Sequence, residues 1–422
     1  MTLLLTDKDR SMLEGKFGPA ARMALSIVVR MAEVVTADEL LDISAAHIDS
    51  TVYIGDAGLE FAERLAGLGA KVSVPTTLNV SGLDEYHWQE WAVPEQWAAQ
   101  AHRQMLAYQS MGTSPTWTCA PYQLEVRPSF GQQIAWGESN AIAFANSVLG
   151  ARTERYPDLF DICCAISGRA PATGLHLTKN RRGQLLFHLD AGISQELQQA
   201  DDFYPILGNL IGKLTLDKIP VIDGLTVSPN EDQLKAFCAA AASSGGVALF
   251  HMVGVTPEAT TLEDAFQGPP PARSIFIDMP ALRHSRQQLT HGPQDKLDLV
   301  VLGSPHFSLA EFKHLAPMLA GRHAHPDVKF LVTTSRFMSE LARREGLLQT
   351  LQDFGGQLTV DTCILTSPML PLEIKCLMTN SAKFAYYAPG MLGKNITFGS
   401  LQDCVNSACT GRVIRDESLW KE

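Results

Sequence analysis

The chain of 422 residues exceeds the usual size of one hydrophobic core, so we expect two or more α/β lobes. Its formal net charge of −11 argues against nucleic acid as a partner, because phosphate binding requires clustered lysine and arginine. No apolar run approaches the roughly 20 residues of a membrane span, and the acidic N-terminus predicts a cytoplasmic protein without a signal peptide. The eight cysteines favour free thiols or metal ligands over a disulfide framework.

The first third of the chain predicts alternating helices and short strands. After an amphipathic N-terminal helix, LLDISAAHID predicts a strand that ends near Ser44 and His47. TWTCAPYQ predicts a strand that ends at Cys119, and GESNAIAFANSVLGARTER predicts a helix that contains Asn146. These residues are therefore candidates for a site at the ends of strands.

DICCAISGRAP predicts a further strand, in which the adjacent Cys163 and Cys164 point to opposite faces and pack in the core. Arg169 follows on a glycine-flanked loop. A guanidinium there suits bidentate capture of a carboxylate or phosphate, although a lone loop arginine is more often solvated.

The proline-rich segment GPPPAR at 268–273 predicts a linker, because three prolines exclude a helix or sheet interior. It divides the chain into an N-terminal α/β part over 1–267, a linker region over 268–285 and a C-terminal α/β lobe over 286–422. The strands GQLLFHLD and GGVALFHMVGVTPE belong to the first of these.

The C-terminal lobe predicts three strand–helix units whose strands end in polar residues. The first strand is followed by Ser304 and His306, the second by Arg336, and the third by Cys363. IKCLMTNSAKFAYYAP, which contains Ser381 and Lys383, predicts a last strand region. Because the carboxyl ends of parallel strands share one edge, these side chains are expected to face one cleft. Ser308 and Glu311 also fit a capping box at the start of a helix.

Two cysteines carry the chemistry in this interpretation, and each has a simpler alternative. Cys119 is followed by Ala-Pro-Tyr, so it lies on irregular backbone of the kind that iron–sulfur ligands require. For Cys119 and Cys363 the alternative is a buried small hydrophobe. The chain contains no GxGxxG, Walker, HExxH or GxSxG motif, which leaves dinucleotide, nucleotide and protease functions without support.

The motifs GDAGLEF, KVSVPTTLN, TCAPY, AWGESNAIAFANSVLGARTER, GLHL, GSPH and DTC, followed by TNSAKFAYY, resemble the large chain of aconitase X proteins in their order. The resemblance extends from the N-terminal helix to about residue 390. It implies an aconitase-like, multi-lobed, three-layer α/β fold with mostly parallel sheets. It also implies that the small swivel domain, which closes the site in this family, is a separate subunit and not part of this chain.

The resemblance implies an iron–sulfur cluster and a set of ligands. The family's cluster cysteines correspond to Cys119, to the position of Ser304, and to Cys363. Because this chain has serine in the middle motif, a smaller or differently ligated cluster, such as 2Fe-2S, is expected. Cys376, His306 or a residue of the small subunit would complete it.

The activity implied by the resemblance is loss of water from cis-3-hydroxy-L-proline to give pyrroline-2-carboxylate. Ser381, Lys383 and His306 are the candidate catalytic residues, although a serine of the swivel domain is an alternative base. The predicted substrate-binding residues are Ser44, His47, Asn146, Arg169 and Arg336. Mevalonate 5-phosphate is the alternative substrate, and a non-catalytic iron-sensing protein is the alternative from another class.

Overall fold

The structure is a computed structural model that describes residues 3–292 and 296–421. Its sheets are mostly parallel and its helices cover them, so the fold is α/β, as predicted. Among the described residues, no helix combines the length and hydrophobicity needed to cross a membrane. Elements are labelled in chain order.

The first part of the chain contains two small sheets. The parallel sheet has the order β3-β2-β4, and β1 pairs with β5 in an antiparallel ribbon. The strands are β1 (Leu40–Asp42), β2 (Ala46–Ile48), β3 (Thr76–Leu78), β4 (Ala135–Trp136) and β5 (Arg169–Pro171). The helices are α1 (Asp7–Leu13), α2 (Pro19–Val34), α3 (Asp56–Gly67), α4 (Glu95–Ser110), α5 (Ser139–Ser147) and α6 (Phe160–Ser167).

The second part forms a parallel four-stranded sheet of order β8-β7-β6-β9. Its strands are β6 (Leu185–Leu189), β7 (Pro220–Asp223), β8 (His251–Met252) and β9 (Ile275–Ile277). Its helices are α7 (Gln195–Gln199), α8 (Phe203–Thr215), α9 (Glu231–Ser244), α10 (Leu262–Phe266) and α11 (Met279–Gln288).

The third part forms a parallel five-stranded sheet of order β12-β11-β10-β13-β14. Its strands are β10 (Leu299–Leu302), β11 (Lys329–Thr334), β12 (Gly356–Val360), β13 (Cys376–Thr379) and β14 (Asn395–Phe398). Its helices are α12 (Leu309–Leu319), α13 (Arg336–Arg344), α14 (Leu347–Phe354), α15 (Ala382–Leu392) and α16 (Leu401–Thr410).

One large apolar cluster joins the three parts, with Phe144, Phe203 and Leu299 among its fully buried members. Helix α9 lies at its centre and packs against α5, α8 and α15. A second cluster fills the first part, and a third lies under the five-stranded sheet.

The predicted division of the chain differs from the arrangement of the sheets. The region 268–285, predicted as a linker, contains β9, which pairs with β6, and most of α11. The extended proline-rich segment is confined to the residues before β9, because prolines interrupt regular structure only where they occur.

Three segments adopt a different structure from the predicted one. DICCAIS is helix α6, not a strand, and all of its residues are buried. A short, uniformly apolar run has no periodicity that separates a buried helix from a buried strand. TWTCAPYQ is irregular backbone followed by a 3₁₀ turn at Pro121–Gln123, and SAKFAYY belongs to helix α15.

Candidate functional site

A cavity of about 510 Å³ lies between the first and third parts of the chain. On one side, the loops that follow β2, β3 and β4 line it. On the other side, the loops that follow β10 and β12 line it together with helix α15, which follows β13. It therefore occupies the carboxyl edge of two parallel sheets, which is where α/β folds bind ligands. Its polar lining includes Asp49, Asn79, Cys119, Glu138, Asp158, Ser304, His306, Thr362, Cys363 and Lys383.

The two predicted cluster cysteines line this same cavity from opposite parts of the chain. Cys119 comes from the irregular segment before Pro121, and its Sγ accepts a hydrogen bond from the backbone N–H of His306 at 3.2 Å. Cys363 follows β12, and its carbonyl accepts from the N–H groups of Thr366 and Ser367. The two thiols are therefore fixed by the backbone around them.

Burial, and to a smaller extent Glu138, raises the pKa of the Cys119 thiol to about 12, while Lys383 opposes the shift. Burial also raises the pKa of Cys363, again opposed by Lys383. Both side chains are therefore thiols at neutral pH. A metal that binds them must displace their protons, which is the usual cost at a thiolate site.

Lys383 and Glu138 form a buried ion pair at the cavity wall, with 2.7 Å between Nζ and Oε1. Burial lowers the pKa of Lys383, but Glu138 and the nearby cysteine side chains raise it to a final value well above the usual range. Lys383 is therefore an ammonium at neutral pH. Glu138 also caps helix α5 through the N–H of Ala141, at 2.8 Å.

His306 is buried, and burial lowers its pKa to about 4, so the ring is neutral. Its Nε2 lies 2.9 Å from the carbonyl oxygen of Thr362. Since a carbonyl only accepts, Nε2 carries the proton and Nδ1 keeps its lone pair. That Nδ1 has no hydrogen-bond partner among the described residues.

Ser304 and Ser381 are in contact, and only Ser304 reaches the cavity. The Ser381 hydroxyl donates to the carbonyl oxygen of Ser304 and accepts from the N–H of Phe384, which caps helix α15. Ser381 lines a neighbouring cavity of about 490 Å³ between the second and third parts, and Ser304 borders both cavities.

None of the five predicted substrate-binding residues lines the cavity. Ser44 is exposed, and its hydroxyl donates to the carbonyl of Gln133. His47 is buried beside Thr77, with its pKa lowered by burial to about 3. Asn146 donates to two backbone carbonyls from the buried side of α5.

The two predicted arginines are held by carboxylates elsewhere. Arg169 lies in strand β5, not on a loop, and its buried guanidinium pairs with Asp9 and Asp42. Arg336 pairs with Asp361 and Glu85 at the start of α13. Both guanidiniums are therefore held by carboxylates outside the cavity, and a role of either in substrate binding stays a prediction.

The residues present fit an iron–sulfur cluster only in part. The described residues contain no group of three His, Cys, Asp or Glu side chains placed to hold a metal ion. Two thiols and the Ser304 hydroxyl do face one cavity, and the N–H donated to Cys119 is the kind of hydrogen bond that tunes cluster sulfurs. The donor set therefore suits a cluster with two thiolate ligands and an oxygen or partner-derived ligand.

The comparisons with known proteins agree with this arrangement. Family models for the aconitase X first, second and third domains match residues 2–179, 183–287 and 297–410. The crystal structure of Thermococcus kodakaraensis aconitase X (holo-form) superposes with a TM-score of 0.87 at 30% identity, covering 96% of this chain and 100% of that one. This chain belongs to the aconitase X family.

Curated aconitase X relatives are dehydratases, that is, hydro-lyases. The chain is 47% identical over 416 residues to cis-3-hydroxy-L-proline dehydratase of Pseudomonas aeruginosa, which covers 98% of this chain and 71% of that protein. It is 43% identical to the enzyme of the same name from Hypocrea jecorina, covering 97% and 69%. The phosphomevalonate dehydratase large subunit of Methanocaldococcus jannaschii is 34% identical, covering 95% and 99%.

Sequence reasoning missed three polar residues of this aconitase X cavity. Asp49 directly follows β2, Asn79 follows β3, and Glu138 closely follows β4. The strand-end argument used for the C-terminal lobe applies equally to this sheet. Applied to the first strand, it gave Ser44 and His47 in place of Asp49, because strands of two or three residues give almost no periodic signal from which to place their ends.

Proposed function

We propose that this chain is the large subunit of an aconitase X dehydratase that converts cis-3-hydroxy-L-proline into pyrroline-2-carboxylate. The two relatives with 47% and 43% identity carry that activity in their names, whereas the phosphomevalonate dehydratase subunits are more distant. The reaction removes a proton from C2 and hydroxide from C3, which together leave as water. The enamine product then tautomerises to the cyclic imine.

The charge of the cavity is the observation that favours the amino-acid substrate. Three carboxylates line it, from Asp49, Glu138 and Asp158, against a single lysine, Lys383. Among the described residues, no arginine lines the cavity. Phosphate recognition relies on arginine, lysine or free backbone N–H groups. A lining in which acidic side chains outnumber basic ones suits a ligand that carries an ammonium group better than mevalonate 5-phosphate.

We propose that Cys119, Cys363 and Ser304 hold the iron–sulfur cluster. When bound, such a cluster supplies a Lewis acid for the leaving hydroxyl or the carboxylate. Lys383, held as an ammonium by Glu138, is placed to bind the substrate carboxylate. The lone pair on His306 Nδ1 is free to complete the ligand set, whereas burial lowers the pKa of the ring to about 4 and makes it a weak base.

The base that removes the C2 proton is proposed to come from the partner. Lys383 is protonated, and the Ser381 proton is engaged with the Ser304 carbonyl, so neither is ready to accept a proton. A small swivel-domain subunit would supply the base and close the cavity to water. The names of the phosphomevalonate dehydratase large subunits support a second subunit in this family. We place both subunits in the cytoplasm.

Anaerobic purification of the chain with and without the small subunit tests the proposed function. The chain alone is expected to carry iron and a visible chromophore but to release pyrroline-2-carboxylate very slowly. Addition of the small subunit should restore turnover. A chain that binds no iron and gives no product with the small subunit would instead support the non-catalytic alternative.

A further inference from the structure

Asp49 presents a carboxylate to the cavity with one oxygen left free. Its backbone N–H donates to Asp161 Oδ2 at 2.6 Å, and its Oδ1 accepts from the side-chain amide of Asn79. Within the described part of the chain, no hydrogen bond reaches Asp49 Oδ2. The backbone of Gly137 packs closely against both aspartates. A Cβ added at this glycine would lie 2.5 Å from Asp161 Oδ2 and 2.8 Å from Asp49 Cβ.

Asn79 presents a second free acceptor beside it. The side chain is 3% exposed, and its backbone N–H donates to the carbonyl of Ile48. Since its Nδ2 donates to the Asp49 carboxylate, its Oδ1 is the atom left over, and that buried oxygen has no partner among the described residues. A buried carbonyl oxygen without a partner costs about 1–3 kcal/mol, so a ligand that donates to it recovers that energy.

We propose that Asp49 and Asn79 form the subsite for the ring ammonium of the amino-acid substrate. A protonated secondary amine has two N–H donors, and the free Asp49 oxygen and the Asn79 Oδ1 are two acceptors on side chains that are hydrogen-bonded to each other. This inference rests on the proposed function and adds the feature that selects a ring nitrogen over a ring carbon or oxygen. Neither residue is within two positions of the proposed cluster ligands.

The surrounding charges agree with a cationic ligand. Burial, with smaller contributions from Glu138, Asp161 and Asp158, raises the pKa of Asp49 to about 8 against the opposing effect of Lys383. A cation at this position offsets the repulsion among the carboxylates. Because the cation binds the ionised carboxylate, binding should release a proton near neutral pH, and affinity should fall as the pH decreases below about 8.

Two unreactive ligands of the same shape test the subsite. L-proline carries the ring ammonium, and tetrahydrofuran-2-carboxylate has an oxygen in its place. We would measure their dissociation constants by calorimetry, with the chain and the small subunit together, in buffers of different ionisation enthalpy. The enzyme should bind L-proline about 10-fold to 100-fold more tightly, as expected for a charge-assisted hydrogen bond.

Asp49→Asn keeps the shape and removes the charge, so the preference for L-proline should fall to less than about threefold, and proton release should disappear. Asn79→Leu removes the second acceptor. It should weaken the binding of L-proline without affecting the binding of tetrahydrofuran-2-carboxylate. Asp158→Asn is the matched control: it removes an exposed carboxylate from the same cavity and should preserve the preference.

Equal affinity of the two ligands for the wild-type enzyme would overturn the subsite, and so would an equal loss of preference in Asp158→Asn. Either result, with cis-3-hydroxy-L-proline still dehydrated, leaves the proposed function standing. If the enzyme neither binds L-proline nor dehydrates hydroxyproline, the proposed function fails together with the subsite.

Discussion

At the scale of residues, the two cavity thiols differ from the other cysteines of the chain in one respect. All eight are free, and most are buried in apolar cores, as Cys404 is within helix α16. Cys119 and Cys363 instead line a polar cavity beside an ammonium group, Lys383. A cation beside a partly accessible thiol favours the thiolate, which is the form that binds a metal.

Replacement of Cys119 or Cys363 by alanine is expected to remove the visible iron–sulfur absorbance and most of the bound iron. Far-ultraviolet circular dichroism should stay unchanged, because each side chain borders a cavity. Cys404→Ala is the matched control, which should keep its iron while losing about 1 kcal/mol of stability from the core. Full iron content in Cys363→Ala would exclude it as a ligand.

The two predicted arginines lie away from the cavity because carboxylates elsewhere in the chain hold them. The partners of Arg169, Asp9 and Asp42, are more than a hundred positions away in the sequence. No local sequence pattern predicts an ion pair between residues so far apart. A guanidinium on a short loop therefore has the same sequence signature whether it binds a ligand or a distant carboxylate.

At the scale of elements, a local capping motif predicted the start of a helix correctly, whereas a uniformly apolar run did not show whether it forms a helix or a strand. The capping box of helix α12 was predicted from Ser308 and Glu311, and it is confirmed. Both residues of this motif lie within four consecutive positions, so the local sequence is enough to predict it. Helix α6 was predicted as a strand because every one of its residues is buried, which erases the periodicity that separates the two structures.

The N-cap residue of α12 makes a hydrogen bond to helix α9 in addition to its local capping bond. Ser308 Oγ accepts from the N–H of Glu311 and donates to Asp232 Oδ2 at 2.8 Å, and both acidic side chains pair with the buried Lys235. Helix α12 is thereby joined to helix α9 directly after the Ser304 loop.

Ser308→Ala is expected to cost about 2 kcal/mol of unfolding free energy, at the upper end for an N-cap, because it also removes a partner of Asp232. Thr261→Ala, at an exposed capping box on α10, should cost about 1 kcal/mol or less. Urea denaturation of the two variants measures the difference. Equal costs would mean that the contact with Asp232 contributes nothing.

At the scale of the whole molecule, two sheets build the cavity and the third supports them. The cavity is lined by residues of the first and third parts, while the four-stranded sheet contributes helix α9 to the shared core. The strand-end rule predicted the half contributed by the third part. The half contributed by Asp49, Asn79 and Glu138 was not predicted, because the strands that precede these residues are too short for a local pattern to place their ends.

We propose that this aconitase X cavity binds a substrate with an ammonium group and not one with a phosphate. The most direct measurement is the ratio of kcat/KM for cis-3-hydroxy-L-proline to that for mevalonate 5-phosphate, with the iron-loaded chain and its small subunit. We predict a ratio of about 1,000 or more, because the described lining offers a phosphate one cationic side chain, Lys383, beside three acidic ones. A ratio near one, or a preference for mevalonate 5-phosphate, would contradict the claim.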